Sequence, residues 1–170
     1  MNEIILAILT AFLIWILGFL GNKLFLKRPK IIVSLKDNYN SSSADEDPSN
    51  IKIQWNKYII LTNLTKVPAY NINFSNYPKK IKVDKSEMIN LDAFEEAKVG
   101  FSFVETIDKN MVIQSKDRFI DLIPSYFVDL SFWIVYENED NKKFYTYFKK
   151  NNDLEQSSYH FYKRKNKTSN

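Results

Sequence analysis

Ile51 to Phe74, IKIQWNKYIILTNLTKVPAYNINF, is the stretch on which the fold turns. Ile51, Ile53 and Trp55 alternate with polar neighbours, and Tyr58 to Leu61 is continuously apolar. Side chains of a strand alternate between faces, and a strand covered on both faces loses its polar half, so Ile51 to Thr62 reads as one long strand buried at its far end. Asn63 to Pro68 gathers turn residues. Ala69 to Phe74 then resumes with Tyr70, Ile72 and Phe74 on one face against Asn71 and Asn73 on the other, and the pair has the pattern of a hairpin.

The same rhythm spreads outward. Lys30 to Lys36, KIIVSLK, is a β-branched run that reads as the first strand, and the polar Asp37 to Asn50 reads as a loop. Three acidic residues in that loop, Asp45, Glu46 and Asp47, lack the ligand offsets and the glycine turn of a calcium loop. Asn90 to Gly100 breaks the alternation: Leu91, Phe94 and Ala97 recur at helical spacing behind a capping Asn90, which predicts one short helix with Glu95 and Glu96 on its solvated side. Phe101 to Ile107 and Met111 to Gln114 read as strands about a turn at Asp108 to Asn110, and Arg118 to Ile123 as another, ended by Pro124. Phe127 to Tyr136 places Leu130, Phe132, Ile134 and Tyr136 on one face and Ser131, Trp133 and Val135 on the other, the pattern of a central strand. Asn138 to Asn141 turns it into Lys142 to Lys150, and after the polar Asn151 to Ser158 a last strand is expected at Tyr159 to Tyr162.

The run Tyr58-Ile-Ile-Leu-Thr-Asn63-Leu-Thr-Lys-Val-Pro68-Ala69-Tyr70-Asn71-Ile72 resembles a pattern of bacterial immunoglobulin-like β-sandwiches, including the CARDB type. Val112 to Phe119 and Phe132 to Asn138 are similar to later strands of that family, although the glycines usual in its first and last turns are missing. The resemblance covers about 90 residues, implies a fold and no activity, and carries over no functional residue.

Ahead of this domain lies a stretch of a different kind. From Ile4 to Leu20 the only polar side chain is Thr10, and the apolar run continues through Leu24, Phe25 and Leu26. A hydrocarbon layer of ~30 Å takes about 20 helical residues, so residues 1–28 read as a transmembrane anchor, followed by a β-sandwich over 30–165 and a basic tail over 166–170. The run is apolar on every face, unlike a helix lying on a membrane surface. No basic residue precedes it and no small-x-small site ends it, so it does not read as a cleaved leader. Lys23, Lys27, Arg28 and Lys30 follow the run, whereas Glu3 alone precedes it, which puts the β domain on the cytoplasmic side of a cell (inner) membrane, with those four cations at the headgroups. Ala7, Thr10, Ala11, Gly18 and Gly21 fall near one face, the spacing by which membrane helices approach closely.

Composition limits function. The 13 Phe and 10 Tyr with only 3 Gly belong to a folded, β-capable chain; 0 Cys exclude a disulfide framework and a thiol nucleophile. The richness in Asn, Lys, Ile and Tyr fits an AT-rich bacterial genome. The net charge of +4 is concentrated after Lys142, where lysines interleave with Phe144, Tyr145, Tyr147 and Phe148. That pattern fits lysines guarding an edge strand, contact with anionic lipid, or base stacking, in falling order. His160 is the only histidine and has no carboxylate beside it in sequence, and no phosphate loop, nucleophile elbow or metal-spaced cluster occurs. The chain therefore reads as non-enzymatic, without cofactor, metal, nucleic acid or small-molecule substrate. Its expected partners are the lipid bilayer and either a protein partner or further copies of itself. Two functions follow: a binding or assembly module held at a membrane, or a membrane-perturbing effector of a defence or toxin system that oligomerises through its transmembrane helix.

Overall fold

The computed structural model describes residues 2–25, 28–84, 89–115 and 122–161, with the side chains of the first helix described over 5–21. The elements in chain order are α1 (Asn2–Phe25), β1 (Ile31–Ala44), β2 (Asn50–Asn63), β3 (Ala69–Ser75), β4 (Lys82–Val83), β5 (Ile89–Leu91), β6 (Glu96–Asp108), α2 (Lys109–Gln114), α3 (Ser125–Val128), β7 (Ser131–Glu137), β8 (Lys143–Asn151) and β9 (Leu154–His160). The strands form two antiparallel sheets, β1-β2-β6-β4 and β5-β3-β7-β8-β9. Their apolar faces enclose one core, as in a β-sandwich.

Alternation decides what each strand contributes. Ile53, Trp55, Ile59 and Leu61 of β2 face inward beside Val99, Phe101 and Phe103 of β6. The other sheet answers with Phe132, Ile134 and Tyr136 of β7 and Phe144 and Phe148 of β8. Aromatic rings fill the middle: Trp55 stacks on Phe103 at 5.2 Å between centroids, Phe103 on Phe127 at 5.0 Å, and Phe132 meets Phe148 at 4.9 Å. Each buried ring of this size contributes about 1.5–3 kcal/mol by leaving water. As the alternation predicts, β7 is central in its sheet.

Several expectations are corrected. Ile51–Thr62 and Ala69–Phe74 are strands but no hairpin: β2 pairs with β1 and β6, β3 pairs with β5 and β7, and residues 64–68 carry the chain from one sheet to the other. Both strands bury one face in the same core, and alternation alone cannot tell a hairpin from such a crossing. The polar Asn40 to Ala44 is no loop but the second half of β1, paired with Ile51 to Trp55; it is polar because both faces of this edge segment are solvated. The helix expected over Asn90 to Gly100 is instead the end of β5, a turn and the start of β6. Leu91 is fully buried, Phe94 is 61% exposed at a positive φ of 60°, and Glu96 to Asp108 pairs with β2 along its length. Asp92 to Glu95 closes a tight turn, with the Glu95 carboxylate accepting from the Asp92 amide at 2.7 Å.

Met111 to Gln114 is helical, because the Asp108 carboxylate accepts from the Asn110 amide at 2.7 Å and caps α2. Phe127 and Val128 belong to α3, and β7 begins only at Ser131. The last strand starts at Leu154, not Tyr159; it lies outside β8, so the lysines of β8 do not guard an edge. Most of the strand expected at Arg118 to Ile123, and all of the tail over 166–170, lie outside the described residues.

Candidate functional site

Register brings one set of strand ends together. Ile31 at the start of β1 pairs with Asn63 at the end of β2, Thr62 with Glu96, Tyr70 with Glu137, Glu137 with Lys143, and Tyr145 with His160. Residues 28–31, through which the chain passes from α1 into the domain, are bound into this same end. The Leu64 amide donates to the Lys30 carbonyl at 2.8 Å. The Tyr136 hydroxyl lies 3.2 Å from the Pro29 carbonyl and 3.1 Å from the Thr146 hydroxyl, which is itself 3.2 Å from the Ile31 carbonyl. All three groups are buried, and burial pushes the Tyr136 phenol above its ordinary pKa.

Two neighbouring turns are pinned by Asn63, which is fully buried. Its amide nitrogen donates to the Val67 carbonyl at 2.8 Å and to the Asp92 carbonyl at 3.0 Å, while its oxygen accepts from the Thr65 amide at 3.1 Å and the Thr65 hydroxyl at 2.9 Å. Both donors and both acceptor positions of one side chain are used. The Phe94 amide adds a bond to the Thr65 carbonyl at 3.3 Å.

Arg28, expected among the headgroup-facing cations, is only 7% exposed. Its guanidinium lies 4.3 Å from the ring centroid of Phe161 and 5.8 Å from those of Phe144 and Tyr159. Nε and Nη2 are buried and find no hydrogen-bond partner among the described residues. Cation–π attraction offsets part of that desolvation. Burial raises the Tyr159 pKa, and the Arg28 charge opposes the rise. Of the other three cations Lys30 is exposed, the side chain of Lys23 is not described, and Lys27 lies outside the described residues.

In α1 the small residues Ala7, Thr10, Ala11 and Gly18 are exposed and Gly21 is half-buried. A Cβ at Gly18 or Gly21 would meet no atom, and the Thr10 hydroxyl is satisfied by the Leu6 carbonyl at 2.8 Å. Except for Ile16, every large apolar side chain from Ile5 to Leu20 is 47–67% exposed. Among the described residues no helix is long and apolar enough to cross a membrane.

Alternation would have revealed one more group, Lys57, which has the parity of Trp55 and Ile59 and points inward, 6% exposed. It is ion-paired with Asp37 of β1 and sits 5.1 Å from the Phe127 centroid, with the Lys150 ammonium 5.7 Å from the same ring. These residues, with Leu35, Asp153 and Glu155, line an open cleft of about 660 Å³. Glu155 spends one carboxylate oxygen on the Leu35 amide at 3.1 Å. The cleft holds no histidine among its described residues, and His160 lies elsewhere, edge-on to Trp133 at 5.2 Å. Among the described residues no three His, Cys, Asp or Glu side chains are placed to hold a metal. No protein-family model and no curated protein sequence matches the chain.

Proposed function

We propose that this chain is a single-pass membrane protein in which α1 is the anchor and the sandwich is a non-catalytic binding or assembly module of the immunoglobulin-like, CARDB-like kind. The carrying observation is the exposed apolar surface all round α1, joined without a linker to a domain that grips its entry segment. A helix apolar on every side has no stable place in water. The apolar sequence extends past the described side chains to Ile4 at one end and to Leu24, Phe25 and Leu26 at the other, which restores the length a bilayer needs. The positive charges following the run, Lys23, Lys27 and Lys30 among them, favour the sandwich on the cytoplasmic side of the inner membrane.

The grip on residues 28–31 also supports the second reading, a membrane-perturbing effector. A stiff junction would make packing between domains dictate packing between helices, along the face of Ala7, Ala11, Gly18 and Gly21. Alkaline carbonate extraction tests the anchor: the full chain stays with the membrane pellet, and release into the wash would sink the proposal. Since the protein has no cysteine of its own, a Ser49→Cys variant reports sidedness. In intact cells it resists a membrane-impermeant maleimide, and it reacts after lysis. Dye leakage on expression, abolished by Gly18→Ile, separates the effector from the binding module.

A further inference from the structure

We infer that the sandwich itself touches the bilayer, through the turns carrying Leu64 and Phe94, and that these act as a second, shallow membrane contact beside the helix. The inference rests on the reading of α1 as an anchor and adds how the domain sits on the lipid.

Phe94 carries the argument. Five described residues other than glycine have positive φ: Asn71, Asn76, Asn141, Asn152 and Phe94. Asparagine tolerates the left-handed region because its short amide bonds locally, whereas a phenylalanine there is strained, and strain of this kind persists where something outside the local chain rewards it. The side chain on this strained backbone is not buried: Phe94 is 61% exposed. Leu64, on the adjoining turn, is 48% exposed. Asn63 bolts the two turns together, and the Leu64 amide is bonded to the Lys30 carbonyl, so both side chains are held beside the point where the chain enters the domain. From Phe25, the last residue of α1, to Arg28 is three residues, a reach of at most ~11 Å. If α1 ends at a membrane surface, this end of the sandwich is at that surface too. Ile32, 40% exposed, and Phe161, 47% exposed, lie at the same end.

The charge of the rim selects the lipid chemistry. Exposed Lys30, Lys66 and Lys98 are balanced by exposed Asp92, Glu95 and Glu96, so the contact is apolar insertion at the interfacial depth and needs no anionic headgroup.

The full chain, carrying one spin-labelled cysteine at a time, is reconstituted into phosphatidylcholine bilayers with and without phosphatidylglycerol. Collision with oxygen, which partitions into lipid, is compared with collision with a water-soluble nickel chelate. The labelled variants are Ile14→Cys in α1, Leu64→Cys and Phe94→Cys on the rim, and Ile113→Cys on α2. All replace exposed side chains and are kept only if their thermal unfolding matches the parent. The labels at 14, 64 and 94 favour oxygen several-fold over the label at 113, equally in both lipids. A label at 14 in lipid with 64 and 94 as aqueous as 113 overturns this inference and leaves the anchor standing. An aqueous label at 14 overturns the anchor and this inference with it. Labels at 64 and 94 shielded from both reagents mean a protein partner and overturn it, as does lipid exposure that appears only with phosphatidylglycerol.

Discussion

The two ends of the sandwich are built in opposite ways. At the end next to α1 two asparagines are buried and satisfied, and the Arg28 guanidinium is buried against aromatic rings: Asn63 fills four hydrogen bonds, and Asn138, 1% exposed, accepts from the Asp140 and Lys142 amides at 3.1 and 3.0 Å. At the far end the hydrogen bonds are solvated. Asp47 accepts from the Ser49 amide at 2.9 Å and the Ser49 hydroxyl at 2.6 Å, and Asp45 pairs with Lys52 at 2.8 Å, all on the turn from β1 to β2. Beyond it α2 exposes Met111 and Ile113 and buries only Val112. A buried hydrogen bond is expensive to break because its partner is left dry, whereas a surface one is exchanged for water at little cost. The first end is therefore a rigid socket for the entering chain, and the second is a soft, adjustable surface.

Asn63→Ala is the hardest test of that contrast. It removes the partner of the Asp92 carbonyl and of the Thr65 amide and leaves the Val67 carbonyl only the Thr65 hydroxyl at 3.3 Å, in a part-buried site where each buried group left without a partner costs about 1–3 kcal/mol. The expected loss is about 3 kcal/mol in urea unfolding of the full chain in detergent, with a lowered midpoint and an unchanged slope. A loss below about 1 kcal/mol would show that water reaches the socket and that the ends do not differ.

How much of this was legible in the sequence follows from the same physics. Alternation located the buried faces of β2, β3 and β7, because every second side chain enters the core. Partnership was not legible: β2 and β3 lie in different sheets, since an apolar face shows that it is covered but not by what. The helix expected at Asn90 to Gly100 failed because the helical spacing of Leu91, Phe94 and Ala97 falls across a strand end, a turn and a strand start, and the ladder to β2 outweighed propensity. Of the four cations after the anchor run, Arg28 was misplaced because an aromatic box made by β8 and the end of β9 is invisible at that point of the chain. Lys57 was overlooked although its parity in β2 announced it.

Tyr136→Phe removes the hydroxyl shared by Pro29 and Thr146 and leaves the ring, costing about 1 kcal/mol. Alkali probes the same socket without mutation. Burial raises Tyr136 and Tyr159 above the ordinary tyrosine value near 10, so the folded state holds its phenolic protons more tightly than the unfolded chain. Their contribution is complete below that pH and is lost as pH rises through the raised values. Phenolate absorbance should show these tyrosines titrating together with unfolding, and Tyr136→Phe should remove part of the pH dependence. Free titration of every tyrosine before unfolding would open the socket to solvent.

At the far end Asp108→Ala deletes the cap of α2, for about 1 kcal/mol or less, with faster amide exchange confined to residues 109–114. Asp47→Asn is the smallest change. Its carboxyl is held below the ordinary range by the hydroxyl and then the amide of Ser49, so its contribution is present above that range and fades as pH falls through the depressed value. Because the site is fully exposed, the variant should lower the neutral-pH unfolding midpoint only slightly and flatten the acid limb of the stability curve to the same small extent. A midpoint shift as large as that of Asn63→Ala would mean that the turn from β1 to β2 supports the sandwich as firmly as the socket does. In that case the far end would not be the softer of the two.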